Sequence, residues 1–122
     1  MLDPKLFILY VKDPITSAAF YTELLGKAPV EASATFAMFS LDSGAQLGLW
    51  AAHTVEPSAT AVGGAELALP VEGRDAVKAS YTDWSSKGLT IAQTPTEMDF
   101  GLTFVALDPD GHRLRVFAPS TP

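Results

Sequence analysis

The sequence predicts an α+β fold built from two βαβββ modules, each with one helix over one face of its sheet and the other, concave face left open. Two observations carry this expectation. Tyr21-Thr22-Glu23-Leu24 returns as Tyr81-Thr82-Asp83-Trp84 at an offset of sixty residues, and apolar runs, Leu6 to Val11 and Leu67 to Val71, precede the two copies at nearly the same offset. Further on, the stretch from Leu41 to Trp50 aligns with that from Leu107 to Phe117 once a residue is inserted in the second turn. Two copies of this size indicate a paired architecture rather than a solenoid, and the site is expected where the copies meet.

Leu6-Phe7-Ile8-Leu9-Tyr10-Val11 is a β-rich run, stopped by Lys12-Asp13-Pro14. Asp13 is placed to cap a helix whose first position is Pro14, where a missing N–H costs nothing. That helix is expected to reach Leu25, with Ile15, Ala18, Tyr21 and Leu25 on one stripe and Gly26 as its stop. Extended segments follow near 30–34, at 36–41 and at 45–51, the last two joined by the turn Asp42-Ser43-Gly44. In the second copy, 66–71 is the strand and 75–87 the helix, with Val77, Tyr81 and Trp84 on one stripe and Gly88 as its stop. Strands are expected at 90–94, 102–107 and 112–118, with a loop holding Pro95, Met98, Asp99, Phe100 and Gly101 and a turn at Asp108-Pro109-Asp110-Gly111. The chain is thus expected to be a single domain, 1–122, made of a first module at 1–52, a linker at 53–63 and a second module at 64–122.

Composition narrows the function. The chain has 122 residues, 48% of them apolar and 18% charged, with a net charge of −6. It is expected to be globular rather than disordered. No Lys/Arg stripe is present to displace phosphate counterions, so nucleic acid is not an expected partner. The absence of cysteine excludes disulfides and thiolate chemistry. Met1-Leu2-Asp3-Pro4-Lys5 lacks a signal-peptide pattern and no run has the length of a membrane span, which points to a cytoplasmic protein with no membrane partner. Of the two histidines, His112 follows a turn glycine and His53 falls in the linker. Both have solvated or capping roles as the simplest reading, and no Ser-His-Asp spacing stands out. Trp84, on the helix stripe, is expected in the core.

The two βαβββ modules, the helix ending Phe20-Tyr21-Thr22-Glu23-Leu24-Leu25-Gly26 and the hairpin Asp108-Pro109-Asp110-Gly111-His112 together resemble the vicinal oxygen chelate superfamily, which includes glyoxalases, extradiol dioxygenases and bleomycin-resistance proteins. The resemblance covers essentially the whole chain and implies curved mixed sheets forming a cupped cavity. In metal-dependent members, side chains from the first and last strands of each module hold a divalent ion. The matching positions here are Leu6, Gly48, Glu66 and Arg115. Leu6 and Gly48 offer no side-chain donor, and Arg115 would add a positive charge where a cation must sit. No metal or other cofactor is therefore expected.

Period-two alternation then sets Tyr10 and Ile8 with Leu6, Gln46 and Trp50 with Gly48, and Arg113 and Phe117 with Arg115. Trp50 is expected as a stacking wall, with Gly48 beside it leaving a flat slot; a core or interface tryptophan is the alternative. Glu66 and Arg115 are expected to pair, either as a strut in place of a metal or as contacts to a ligand. Met98 and Phe100 are expected on a lid loop, or at an interface.

Leu9-Tyr10-Val11, Lys27-Ala28-Pro29-Val30, Leu49-Trp50, Glu66 with Leu69-Pro70, and Phe100-Gly101 followed by Asp108 to Val116 look most like the phenazine-antibiotic resistance proteins. This likeness implies metal-independent sequestration of a planar aromatic molecule, phenazine- or bleomycin-like, by a homodimer, without turnover. The expected contacts are Tyr10, Gln46, Gly48, Trp50, Glu66, Met98, Phe100, Arg115 and Phe117, and no catalytic residue is assigned. The alternative is a metal-dependent glyoxalase-like lyase or extradiol-type dioxygenase with a displaced ligand set.

Overall fold

A computed structural model describes residues 2–61 and 64–120. They fall into two compact units, Met1–Val62 and Gly63–Pro122. Positions 62 and 63 of the expected linker, and 121 and 122 of the second module, lie outside the described residues. Each unit holds one helix and one four-stranded mixed sheet, which makes the fold α+β.

In the first unit the elements are β1 (Leu6–Val11), α1 (Pro14–Leu25), β2 (Glu31–Ala32), β3 (Phe36–Ser40) and β4 (Gln46–Ala51), followed by a 3-10 turn at Ala52–Thr54. The sheet order is β1-β4-β3-β2, with β1 parallel to β4 and the remaining pairs antiparallel. The parallel pair requires a crossover, and α1 supplies it. Asp13 caps α1 by accepting from the Ile15 N–H at 3.1 Å, and Gly26 ends it in the left-handed region at φ 69°. The buried side chains Ala18 and Tyr21 meet a sheet face made of Val11, Ala37, Phe39, Leu47, Leu49 and Ala51, and the Tyr21 ring stands edge-on to Phe39 at 6.4 Å. Ile15 departs from the expected stripe. It is 50% exposed, and Pro14 and Ser17 are buried instead, so the contact face follows positions 14, 17, 18 and 21 at helical spacing.

The second unit repeats the plan with β5 (Glu66–Pro70), α2 (Arg74–Ser86), β6 (Thr90–Met98), β7 (Gly101–Leu107) and β8 (Arg113–Pro119). Its sheet order is β5-β8-β7-β6, with β5 parallel to β8. Val77 and Trp84 of α2 are buried, and the Trp84 and Tyr81 rings stand edge-on to Phe104 at 5.4 and 5.5 Å. The core placement expected for Trp84 is observed.

The registers align the repeats residue by residue. Leu6 opposes Gln46 and Ile8 opposes Gly48 in one unit, as Glu66 opposes Arg113 and Ala68 opposes Arg115 in the other. Gly48 and Arg115 are therefore equivalent, as are Gln46 and Arg113, and Trp50 and Phe117.

One expected loop is absent. β6 runs on through Pro95 to Met98, and only Asp99 and Phe100 turn the chain into β7. Pro95 signals a break, but β6 is an edge strand with register shifts on both sides of Gln93, where a residue without an N–H is tolerated. Met98 is thus a strand residue paired with Gly101, and the lid expected from Met98 and Phe100 is a tight hairpin.

Candidate ligand-binding site

In the first unit, alternation sends Leu6, Ile8 and Tyr10 of β1, Phe36 and Met38 of β3, and Gln46, Gly48 and Trp50 of β4 to the face away from α1. Tyr10, Trp50 and Phe36 share one register row across three strands. The Tyr10 and Trp50 rings meet edge-to-face, with centroids 6.3 Å apart and planes at 83°. Tyr10 is 44% exposed and Trp50 half-buried, so the row presents aromatic surface.

Gly48 differs from its expected part. A Cβ built there would lie 3.0 Å from Phe36 Cζ, 3.2 Å from Phe36 Cε1 and 3.4 Å from Ile8 Cγ1. The slot beside Trp50 is therefore filled by the Phe36 ring, and Gly48 is buried under it. Phe36 adds a wall that sequence reasoning missed. Its signal was the same alternation that found Trp50, applied to β3.

In the second unit, Glu66, Phe100, Arg115 and Phe117 come together. Glu66 Oε1 accepts from Arg115 Nε at 2.5 Å and Glu66 Oε2 from Arg115 Nη2 at 3.3 Å. Arg115 Nη1 donates to Gln93 Oε1 and Thr103 Oγ1, each at 3.3 Å. Thr103 is fully buried and gives its own proton to the Val116 carbonyl at 2.9 Å, so its oxygen is free to accept from the guanidinium. The guanidinium carbon stands 5.8 Å from the Phe100 ring centre, within cation–π range, and Phe100 meets Phe117 edge-on at 6.0 Å. Met98 joins through its sulfur, 3.7 Å from Gln93 Nε2. The expected Glu66–Arg115 pair is thus observed, inside a network whose other members, Gln93 and Thr103, were missed. Thr103 was legible by alternation on β7. Gln93 was not, because the shifts in β6 break the period there.

His112 is tied to its turn. Its Nδ1 is 2.7 Å from Asp108 Oδ2, and Asp108 Oδ1 accepts from the backbone N–H groups of Asp110 and His112. The hydrogen bond to Asp108 raises the imidazole above its usual range, against the opposing effect of burial. His53 is exposed on the 3-10 turn.

Each βαβββ unit thus pairs its first and last strands in parallel and carries aromatic and polar side chains on the sheet face away from its helix. The profile of the Glyoxalase/Bleomycin resistance protein/Dioxygenase superfamily matches residues 5–116, and the chain belongs to that superfamily. The chain is 27% identical over 118 residues to the phenazine antibiotic resistance protein EhpR of Enterobacter agglomerans, covering 94% of this chain and 91% of that protein. It is 48% identical to an Agrobacterium tumefaciens protein solved by solution NMR, over 99% of this chain and 100% of that one, with a TM-score of 0.90. A glyoxalase-related enzyme from Fulvimarina pelagi shares the fold, with a TM-score of 0.83 at 22% identity over 97% of this chain and 88% of that one.

Of the four positions that the resemblance matches to metal-holding ones, Leu6, Gly48, Glu66 and Arg115, only Glu66 carries a side chain that can ligate a metal. Leu6 and Gly48 bring no donor atom, and Arg115 brings a cation already bound to Glu66. Among the described residues no group of three or more His, Cys, Asp or Glu side chains is arranged to hold a metal ion. No helix among them is long and apolar enough to cross a membrane.

Proposed function

We propose that this protein binds and sequesters a planar aromatic small molecule of the phenazine or bleomycin type, without a metal and without turnover, as a cytoplasmic homodimer. The observation that carries the reading is the register row of Tyr10, Trp50 and Phe36, with aromatic surface open on the face away from α1. A flat ring stacked on such a wall gains about 0.5–1.5 kcal/mol beyond its area burial. The likeness to a phenazine antibiotic resistance protein supports the ligand class. The donor-poor set Leu6, Gly48 and Arg115 supports binding without a metal.

The dimer rests on a second observation. Leu6, Phe7, Ile8 and Tyr10 are all more than 40% exposed or at that level, on β1, an edge strand. Exposed apolar edges are normally covered by another chain.

Titration with phenazine, followed by tryptophan fluorescence, tests the reading. Phenazine quenches the wild type, and the quench survives a chelator. Trp50→Ala loses the quench and binds about three- to tenfold more weakly by calorimetry, while Trp84, buried on the sheet-facing side of α2 against Phe104, stays silent. Absence of binding to phenazine and bleomycin alike, or equal binding by Trp50→Ala, overturns the reading. A monomer by light scattering overturns the dimer.

A further inference from the structure

We propose that the open sheet face of the first unit selects a flat aromatic cation, of the phenazinium type, over a neutral or acidic ring, and that Glu31 sets this preference. The inference rests on the aromatic wall proposed above, deepens it, and uses the first unit alone.

Register places Glu31. It opposes Met38 across β2 and β3, and Met38 opposes Gly48, so the three share one row and one face of the sheet. Phe36, two residues from Met38 on β3, is the diagonal neighbour of Glu31, at about 7–8 Å in ordinary sheet geometry and within reach of a long side chain. Trp50 and Tyr10 complete the row of Phe36, whose ring extends over Gly48. A carboxylate therefore stands at the rim of the aromatic wall.

Nothing described in the unit neutralises it. Glu31 is exposed and makes no hydrogen bond or ion pair with any described residue. Lys27 is bound to Asp42 and to the Ser40 carbonyl, Lys12 has a partner of its own, and Lys5, just before Leu6, alternates to the other face. Over residues 1–62 three lysines and no arginine stand against six carboxylates, a net charge of −3.

The second unit supplies the contrast. There Val105 takes the place of Met38, Arg115 that of Gly48 and Gln93 that of Glu31. A cation is built into that row and is met by Glu66, while Arg113, without a partner among the described residues, keeps its guanidinium open. In the first unit Gly48 provides no cation, so the carboxylate is left for a ligand to meet.

Aromatic faces are the negative part of the ring quadrupole, and a cation held over them is attracted, most strongly by Trp. A flat cation stacked on Trp50 and Phe36 keeps the apolar contact of a neutral ring and adds two attractions, one to the ring faces and one to Glu31. An acidic ring meets both with the wrong sign.

The test puts three charge states on one scaffold, N-methylphenazinium, 1-methylphenazine and phenazine-1-carboxylate, and measures each by calorimetry with wild type and Glu31→Gln at low and high salt. 1-Methylphenazine carries the extra methyl without the charge. Wild type is expected to bind the cation about five- to tenfold more tightly than 1-methylphenazine, and the carboxylate most weakly. Glu31→Gln reduces the ratio of cation to neutral affinity by about two- to threefold, and salt, which reduces it in wild type, does so less in the variant. A cation bound no more tightly than 1-methylphenazine by wild type, a carboxylate bound most tightly, or an unchanged ratio in Glu31→Gln overturns the inference while leaving the aromatic-binding reading intact. Failure of wild type to bind all three compounds overturns both.

Discussion

The Phe36 ring stands over Gly48, close enough that a Cβ on that glycine would meet ring Cζ at 3.0 Å. The equivalent places in the second unit hold the opposite arrangement, a small Thr103 beside a large Arg115 in contact through a hydrogen bond. The two copies thus fill the same volume from different strands, one with a ring from β3 and the other with a guanidinium from β8.

Gly48→Ala is expected to cost about 1 kcal/mol, because the end of the Phe36 ring must move and Phe36, being only half-buried, has room to do so. In a Phe36→Ala background the cost falls, with a coupling of about 0.5 kcal/mol or more by urea denaturation. Equal costs in both backgrounds would show that the ring and the glycine are independent.

Glu66→Ala leaves Arg115 held only by Gln93 and Thr103. The side chains of the pair are 18% and 32% exposed, between a surface ion pair and a buried one. A loss of about 1–2 kcal/mol is expected, and Glu66→Leu combined with Arg115→Met recovers part of it, since no uncompensated charge is then left. Chemical denaturation of the three variants measures both effects.

Gly101→Ala is expected to be the most damaging substitution of this set. Gly101 has φ 135°, and a Cβ there would lie 2.0 Å from the Ala118 carbonyl oxygen, which belongs to the paired strand and cannot swing aside. A loss of about 3 kcal/mol or more follows from the strained backbone and the clash together. Thermal melts check it, and a variant within about 1 kcal/mol of wild type would contradict the hairpin geometry.

His112 is expected to make stability depend on pH. Its folded-state pKa is raised above 6.5 by the hydrogen bond to Asp108. Its contribution is therefore fully present below the unfolded value and is lost as pH rises through the folded value. The stability difference between wild type and His112→Gln, followed by denaturation across that window, shrinks as pH increases. A difference that grows with pH would mean that the imidazole is held neutral.

The sequence alone determined the two-copy plan, because a strand, a capped helix and glycine-stopped turns are local events. Asp13, Pro14 and Gly26 mark α1 to the residue, and alternation along β4 and β8 put Gln46, Gly48 and Trp50, and Arg113, Arg115 and Phe117, on their faces without any tertiary information. The Glu66–Arg115 pair was legible for the same reason, since both lie on central or adjoining strands whose period is unbroken. Tertiary structure decided what local patterns do not encode. Whether Gly48 is an empty slot depends on a ring from another strand, and Phe36 fills it. Whether Pro95 breaks a strand depends on whether that strand has a neighbour on its N–H side, and β6 at the sheet edge has none, so Met98 is a strand residue and Phe100 a turn residue. Which arginine is free depends on which carboxylate reaches which guanidinium, and Glu66 reaches Arg115 and leaves Arg113 open.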